Sequence, residues 1–300
     1  MKIDRREFIR RSAAAVVAGA VLTGLSQPIW AGKTSFASQV RMVTGPNPAE
    51  NTRKAIEMLG GIEKFVKPGQ KVFLKPNCIT TNQPESAINT HPAVVAEVVR
   101  LCQLAGAGEI LYMGHDQSRV WEDNGIGEAI LHQGGKIVDA NDMTQYQTVK
   151  LPRGLLLRET MVIKELMTAD VFINLPVAKH HAGAQFTFAL KNYMGLNWDR
   201  VIMHRTDLHQ CIADLATVRP ADLTVMDATR MLLTNGPSGP GTVRQEDIII
   251  ASPDMVAVDA MTAALFKQEP RNVRQLTAAY DMGLGEIDER SMQVEKATLG

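Results

Sequence analysis

Val72-Phe73-Leu74-Lys75-Pro76-Asn77, then His91-Pro92-Ala93-Val94-Val95-Ala96-Glu97-Val98-Val99-Arg100-Leu101-Cys102-Gln103-Leu104-Ala105-Gly106, then Ile110-Leu111-Tyr112-Met113 decide the fold. The first and last are short apolar runs without polar alternation, which suits strands buried on both faces. Between them, Val94, Val95, Val98, Val99 and Cys102 recur at helical spacing, while Glu97, Arg100 and Gln103 fall off that face. Pro92 fits the first helical turn with His91 as its cap, and Gly106 supplies the stop.

The same alternation continues outward. Further short strands are expected at 40–43, 137–139, 171–175, 223–226 and 248–251, with helices at 52–58, 186–194, 208–216, 255–266 and 273–280. The segment 148–163 reads as a small antiparallel excursion. Repeated βα units of this kind imply an α/β fold, a mostly parallel sheet flanked by helices on both faces, in a single large domain. No internal repeat or low-complexity linker divides it.

Composition narrows the function. The chain has 300 residues, 45% of them hydrophobic, enough for a sizeable core, and 32 basic residues balance 32 acidic ones. No basic stripe with interleaved aromatics follows the N-terminal segment, so nucleic acid is not an expected partner. Cys78, Cys102 and Cys211 are widely separated and form no C-x-x-C pair, which argues against structural zinc, a disulfide framework or an iron–sulfur cluster held by this chain alone.

Residues 1–31 have the layout of an export signal. Asp4-Arg5-Arg6-Glu7-Phe8-Ile9-Arg10 places adjacent arginines before x-Phe-aliphatic-basic and resembles the twin-arginine motif. The Ala- and Gly-rich run 13–25 is too short to cross a bilayer, and Ala31 or Ala37 offers a cleavage point, leaving 38–300 as the mature domain. The twin-arginine translocase, a periplasmic location and no stable membrane span after cleavage are the expectations.

In open parallel sheets, ligands bind beyond the carboxyl ends of the strands. There the sequence supplies Lys75-Pro76-Asn77-Cys78, Gly114-His115-Asp116, Asp139-Ala140-Asn141-Asp142, Pro176-Val177-Ala178-Lys179-His180-His181, Asp227-Ala228-Thr229-Arg230 and Ser252-Pro253-Asp254. Acids, Pro and Gly commonly close strands, but lysine is not a turn former. Lys75, Lys179 and Lys191 would give a cleft a positive lobe suited to carboxylate or phosphate. His91, His115 and His181 with Asp116 could converge from separate loops on a divalent metal, although no two histidines have chelate spacing in sequence. The loop 236–242 lacks the spacing of a P-loop, and its prolines remove donors. No G-x-S-x-G elbow and no G-x-G-x-x-G after the first strand occur.

Several of these segments, in order, resemble the family known as domain of unknown function 362. They are Lys75-Pro76-Asn77, Thr90-His91-Pro92, Asn174-Leu175-Pro176-Val177-Ala178-Lys179-His180-His181 and Ala189-Leu190-Lys191-Asn192-Tyr193-Met194-Gly195. His209 with Asp214, Asp227 with Gly236-Pro237, and Ser252-x-Asp254 before Ala257-Val258-Asp259-Ala260 extend the resemblance over about 40–290. The resemblance singles out Lys75, His91, Lys179, His181, Lys191 and Asn192. It also implies an iron–sulfur association that some members carry on an added cysteine-rich segment, which this chain lacks.

Three expectations follow. The leading one is an exported enzyme acting on a small anionic substrate, with Lys179, His181 and His91 in catalytic positions and Lys75, Asn77, Lys191 and Asn192 binding substrate. A divalent metal on His115, Asp116 and His181 is the cofactor this reading admits. The alternatives are a non-catalytic periplasmic anion-binding protein and an accessory redox partner.

Overall fold

Alternation along one strand sets the layers. Val72 and Leu74 pack with Val94, Val95, Val98 and Val99 in one apolar cluster, whereas Phe73 packs with Phe172, Tyr193 and Ile212 in another. Both faces of the sheet are therefore covered, as period-two side chains in a doubly wound sheet require. The computed structural model describes residues 37–114 and 120–300. The predicted signal segment with its arginine pair, and His115-Asp116, lie outside the described residues.

The strands are β1 (Gln39–Thr44), β2 (Lys71–Pro76), β3 (Glu109–Gly114), β4 (Lys136–Asp139), β5 (Tyr146–Lys150), β6 (Glu159–Ile163), β7 (Val171–Leu175), β8 (Val177–His181), β9 (Gln185–Thr187), β10 (Leu223–Leu232), β11 (Val243–Ser252) and β12 (Gln293–Thr298). The helices are α1 (Pro48–Met58), α2 (Pro92–Leu104), α3 (Ile126–Leu131), α4 (Lys164–Thr168), α5 (Ala189–Asn192), α6 (Val201–Arg205), α7 (Leu208–Ala216), α8 (Met255–Leu265) and α9 (Arg274–Asp281). The main sheet runs β12-β1-β11-β10-β7-β2-β3-β4, with β8 joined to β10 and β9 to β8. Pairing is parallel between β2 and β3, β2 and β7, β3 and β4, β7 and β10, β8 and β10, and β1 and β12. It is antiparallel where β11 meets β1 and β10, and in the β8–β9 hairpin. The protein is thus an α/β domain on a mostly parallel sheet.

Helix α2 begins and ends as its sequence requires. The His91 Nδ1 accepts from the Ala93 N–H, Pro92 occupies the first turn, and Gly106 takes φ +80° just past the end. The excursion at 148–163 is the two-stranded antiparallel sheet β5–β6, with Tyr146 opposite Ile163.

Three departures have local causes. The helix expected over 186–194 divides into β9, the single turn α5 and a 3-10 turn at Tyr193–Leu196. Phe186 and Phe188 stack at 4.7 Å with their backbone extended, and buried Asp259 captures the Ala189 and Leu190 N–H groups, so the helix starts only there. Strand β8 continues β7 after a break at Pro176, a residue with no N–H to give a ladder. Strand β12 has only Val294 and Ala297 as apolar residues, three apart and so out of period-two alternation, and it pairs along β1, so its sequence carries little strand signal.

Candidate functional site

The break at Pro176 organises the site. Strand β7 runs beside β10 with Asn174 opposite Thr224; Pro176 then accepts the Asp227 N–H at 2.9 Å, and β8 resumes with Val177 opposite Asp227. Along β8 side chains alternate, so Lys179 and His181 share one side and His180 takes the other. His180 Nδ1 accepts from the Gly236 N–H at 3.1 Å, turning that ring to the Gly-Pro loop. His181 lines a cleft of about 390 Å³.

Lys75, Asn77, Lys179, His181, Lys191 and Asn192 all line this cleft, at the carboxyl end of β2, on β8 and on α5. Arg200 and His204, which the sequence patterns do not single out, line it too, together with Cys78, Ile79, Met194 and Val201. Among the described residues, no Asp or Glu is part of the lining. His91 is not part of the lining: it caps α2, and its own N–H donates to Asp227 Oδ2 at 2.7 Å.

An amide relay fixes the floor. Asn192 Nδ2 donates to the Lys75 carbonyl and to Asn174 Oδ1, both at 2.8 Å, while its Oδ1 accepts from Asn77 Nδ2 at 2.9 Å. Asn77 Oδ1 in turn accepts from Lys179 Nζ at 2.9 Å. Every member is buried and oriented by its neighbour, so the relay holds β2, β7, β8 and α5 in one register.

The three lysines differ in what surrounds them. Lys179 is fully buried, and its Nζ also donates to the Ile88 and Pro237 carbonyls at 2.5 and 3.1 Å. Burial, then the Lys191 and Lys75 charges, push its pKa well below that of an ordinary lysine. Against that push stand three oxygens, one for each donor of an ammonium; a neutral amine has only two N–H bonds and would leave one oxygen facing a lone pair. Lys75 Nζ donates to the Pro76 carbonyl at 2.5 Å. Lys191 is half-buried and makes no hydrogen bond or ion pair among the described residues. Burial and Arg200 bring its pKa down to about 8.

His181 is held as a neutral donor. Its Nδ1 accepts from the Gly183 and Ala184 N–H groups at 3.0 and 3.1 Å, which leaves the proton on Nε2. Burial, then Lys191 and Lys179, push its pKa down to about 3. A metal at Nε2 would require the proton on Nδ1, where two N–H donors already point. Among the described residues no group of three or more His, Cys, Asp or Glu side chains is arranged around a metal ion. Cys78 lines the cleft, whereas Cys102, with its thiol pushed up to about 12 by burial, and Cys211 lie in the core.

Three described acids near the strand ends serve the backbone. Asp227 accepts from the His91 and Thr229 N–H groups, Asp254 from those of Val256, Ala257 and Glu286, and Asp259 from those of Ala189 and Leu190. The loop 236–241 contributes the Pro237 carbonyl to Lys179, an acceptor rather than an anion cradle.

Gly195 shows how tightly Lys75 is placed. A Cβ there would stand 2.7 Å from Lys75 Cε and 3.1 Å from Nζ, so a larger residue must displace the ammonium. Because the displaced atoms end a flexible side chain, Gly195→Ala is expected to cost less than about 1 kcal/mol in urea unfolding. Should the cleft hold phosphate, the same variant is expected to weaken that binding roughly 3–10-fold, as for shifting one charged contact. Unchanged affinity by calorimetry would remove Lys75 from the ligand's reach.

The family described as Domain of unknown function (DUF362) matches residues 72–264. A thylakoid-associated protein of Synechocystis sp. is 30% identical over 251 residues, covering 77% of this chain and 74% of that one. Among solved structures, the lactate racemase apoprotein from Thermoanaerobacterium thermosaccharolyticum is similar at TM-score 0.43 and 13% identity, over 64% of this chain and 50% of that one. A Thermotoga maritima protein is similar at TM-score 0.45 and 10% identity, over 79% and 60%. The chain thus spans between half and three-fifths of those two proteins' lengths.

Proposed function

The chain belongs to the family of the Domain of unknown function DUF362, and on that premise we propose that its cleft binds a small anionic substrate in an exported, periplasmic enzyme. One observation carries the anion: Lys75, Lys179, Lys191, Arg200 and two histidines line the same cleft, and no carboxylate is among its described lining residues. Like charges gathered in a partly desolvated cleft repel one another, and an anion supplies counter-charge. Lys191 and Arg200 have no hydrogen-bond or ion-pair partner among the described residues, so their donors are open to the ligand. His181 offers Nε2–H, a neutral donor suited to an oxygen on the same ligand.

A divalent cation fits this wall poorly, because three ammonium groups and a guanidinium would repel it and His181 Nδ1 is already engaged. Of the metal ligands expected from the sequence, His115 and Asp116 lie outside the described residues, and His181 meets the cation with its Nδ1 already accepting two N–H groups.

The test is calorimetry with inorganic phosphate and, separately, pyruvate, at low and high ionic strength. Binding of one anion per chain that weakens as salt rises is expected. Saturable binding of a divalent metal with no anion binding would overturn the reading. Export by the twin-arginine route is tested by Arg5→Lys with Arg6→Lys, which is expected to hold the precursor in the cytoplasm. Normal delivery of that variant to the periplasm would refute it.

A further inference from the structure

The three lysines of the cleft are not equivalent. Lys179 is locked to three oxygens and Lys75 donates to the Pro76 carbonyl, while the Lys191 amine makes no hydrogen bond or ion pair among the described residues. Lys191 sits on the single turn α5, whose start is pinned by Asp259 and whose end is pinned by the Asn192 amide. The residue is thus held by backbone anchoring on both sides while its amine stays open to the cleft.

Around that amine the lining is differentiated. His181 presents Nε2–H with its tautomer set by two backbone donors. Arg200 offers a planar fork suited to a carboxylate. Ile79 and Val201, 37% and 56% exposed, add an apolar edge. A volume of about 390 Å³ is at the small end for ligand sites, which suits a molecule of a few heavy atoms.

From this arrangement we infer that Lys191 is an imine-forming lysine and that the substrate class is a small 2-oxo acid, its carboxylate on Arg200 and its carbonyl oxygen on His181 Nε2–H. The inference rests on the anion-binding reading of the same cleft. The amine lone pair forms the C–N bond to the carbonyl carbon, and the carbonyl oxygen becomes the hydroxyl of a carbinolamine. That oxygen then leaves as water with the two protons of the amine, and a C=N bond remains. No oxidant or further reactant is needed. Desolvation and a neighbouring cation are the two means by which a lysine is kept nucleophilic near neutral pH, and Lys191 has both.

The experiment is reductive trapping on the full chain: pyruvate with sodium cyanoborohydride at pH 8, followed by peptide mass mapping. An amine with a pKa near 8 is unprotonated roughly a hundredfold more often at that pH than an exposed lysine, so Lys191 is expected to gain one carboxyethyl group at least tenfold faster. Phosphate should slow that labelling by competition. Lys191→Arg should lose the adduct while still binding phosphate, which shows that the cleft is intact. Labelling spread evenly over surface lysines, with pyruvate still displacing phosphate, overturns the imine and leaves the anion site standing. If neither phosphate nor pyruvate binds, the anion reading itself falls and the imine falls with it.

Discussion

Asp214→Ala is expected to cost about 3–5 kcal/mol of unfolding free energy, since each buried donor left without a partner costs about 1–3 kcal/mol. Asp214 is fully buried on α7, and its carboxylate accepts the Leu155, Leu156 and Leu157 N–H groups at 2.9, 2.8 and 2.8 Å, with Gln210 Nε2 at 2.8 Å. Those three consecutive donors belong to the connection between β5 and β6, which has no ladder of its own to satisfy them. Leu155 and Leu156 are about half exposed, so water can reach part of the loop, and the lower half of the additive range applies. A loss of this size is a large fraction of the roughly 5–15 kcal/mol that holds a typical domain together. Asp214→Asn should be intermediate, because it keeps one acceptor oxygen and turns an amide N–H toward donors. Urea denaturation measures both, and a change under about 1 kcal/mol for the alanine variant would show that the loop finds its partners elsewhere.

That prediction bears on which motif residues do chemistry. His209 and Asp214 recur together in the sequence motif, yet His209 Nδ1 pairs with Gln275 Oε1 at 2.6 Å, away from Asp214. Asp227, Asp254 and Asp259 likewise receive backbone N–H groups. From sequence alone an acid that accepts N–H bonds looks the same as one that transfers protons, because both sit at strand ends and helix starts. Lysine is more informative: it neither turns the chain nor caps a helix N-terminus, so Lys75 and Lys179 near strand ends stand out.

The strand pattern was legible for a similar reason. Val72-Phe73-Leu74 needs apolar partners on two faces, and the valine face of α2 supplies one of them. What the pattern could not reveal depends on distant contacts. Arg200 and His204 reach the cleft because the segment before α6 is docked on β6: Thr160 Oγ1 donates to Asn197 Oδ1 at 2.7 Å, and the Trp198 N–H donates to the Met161 carbonyl at 3.0 Å. No periodicity within 197–205 encodes that docking. Which of His180 and His181 faces the cleft also required the register of β8 after Pro176, which one residue of slip would reverse.

Replacing Lys191 and Arg200 together by alanine is expected to weaken phosphate binding by roughly 10²–10⁴-fold, from two charged hydrogen bonds at about 1.5–3 kcal/mol each. Stability should hold or rise slightly in the same variant, because it removes two like charges that have no partner among the described residues. A loss under about threefold would place the anion elsewhere. The pH dependence has a definite sign. With the Lys191 pKa at about 8 in the empty cleft, the ammonium that an anion needs is present below pH 8 and is lost as pH rises through it. A bound anion favours the charged form, so phosphate should bind with proton uptake near pH 8, and its affinity should fall by up to about tenfold per pH unit above that until the bound-state pKa is reached. Carbonyl attack needs the opposite form of the same amine, so imine trapping with pyruvate should climb over the interval in which phosphate affinity declines. Both curves must bend at one pKa if one amine does both, and Lys191→Arg should flatten the decline while abolishing the climb.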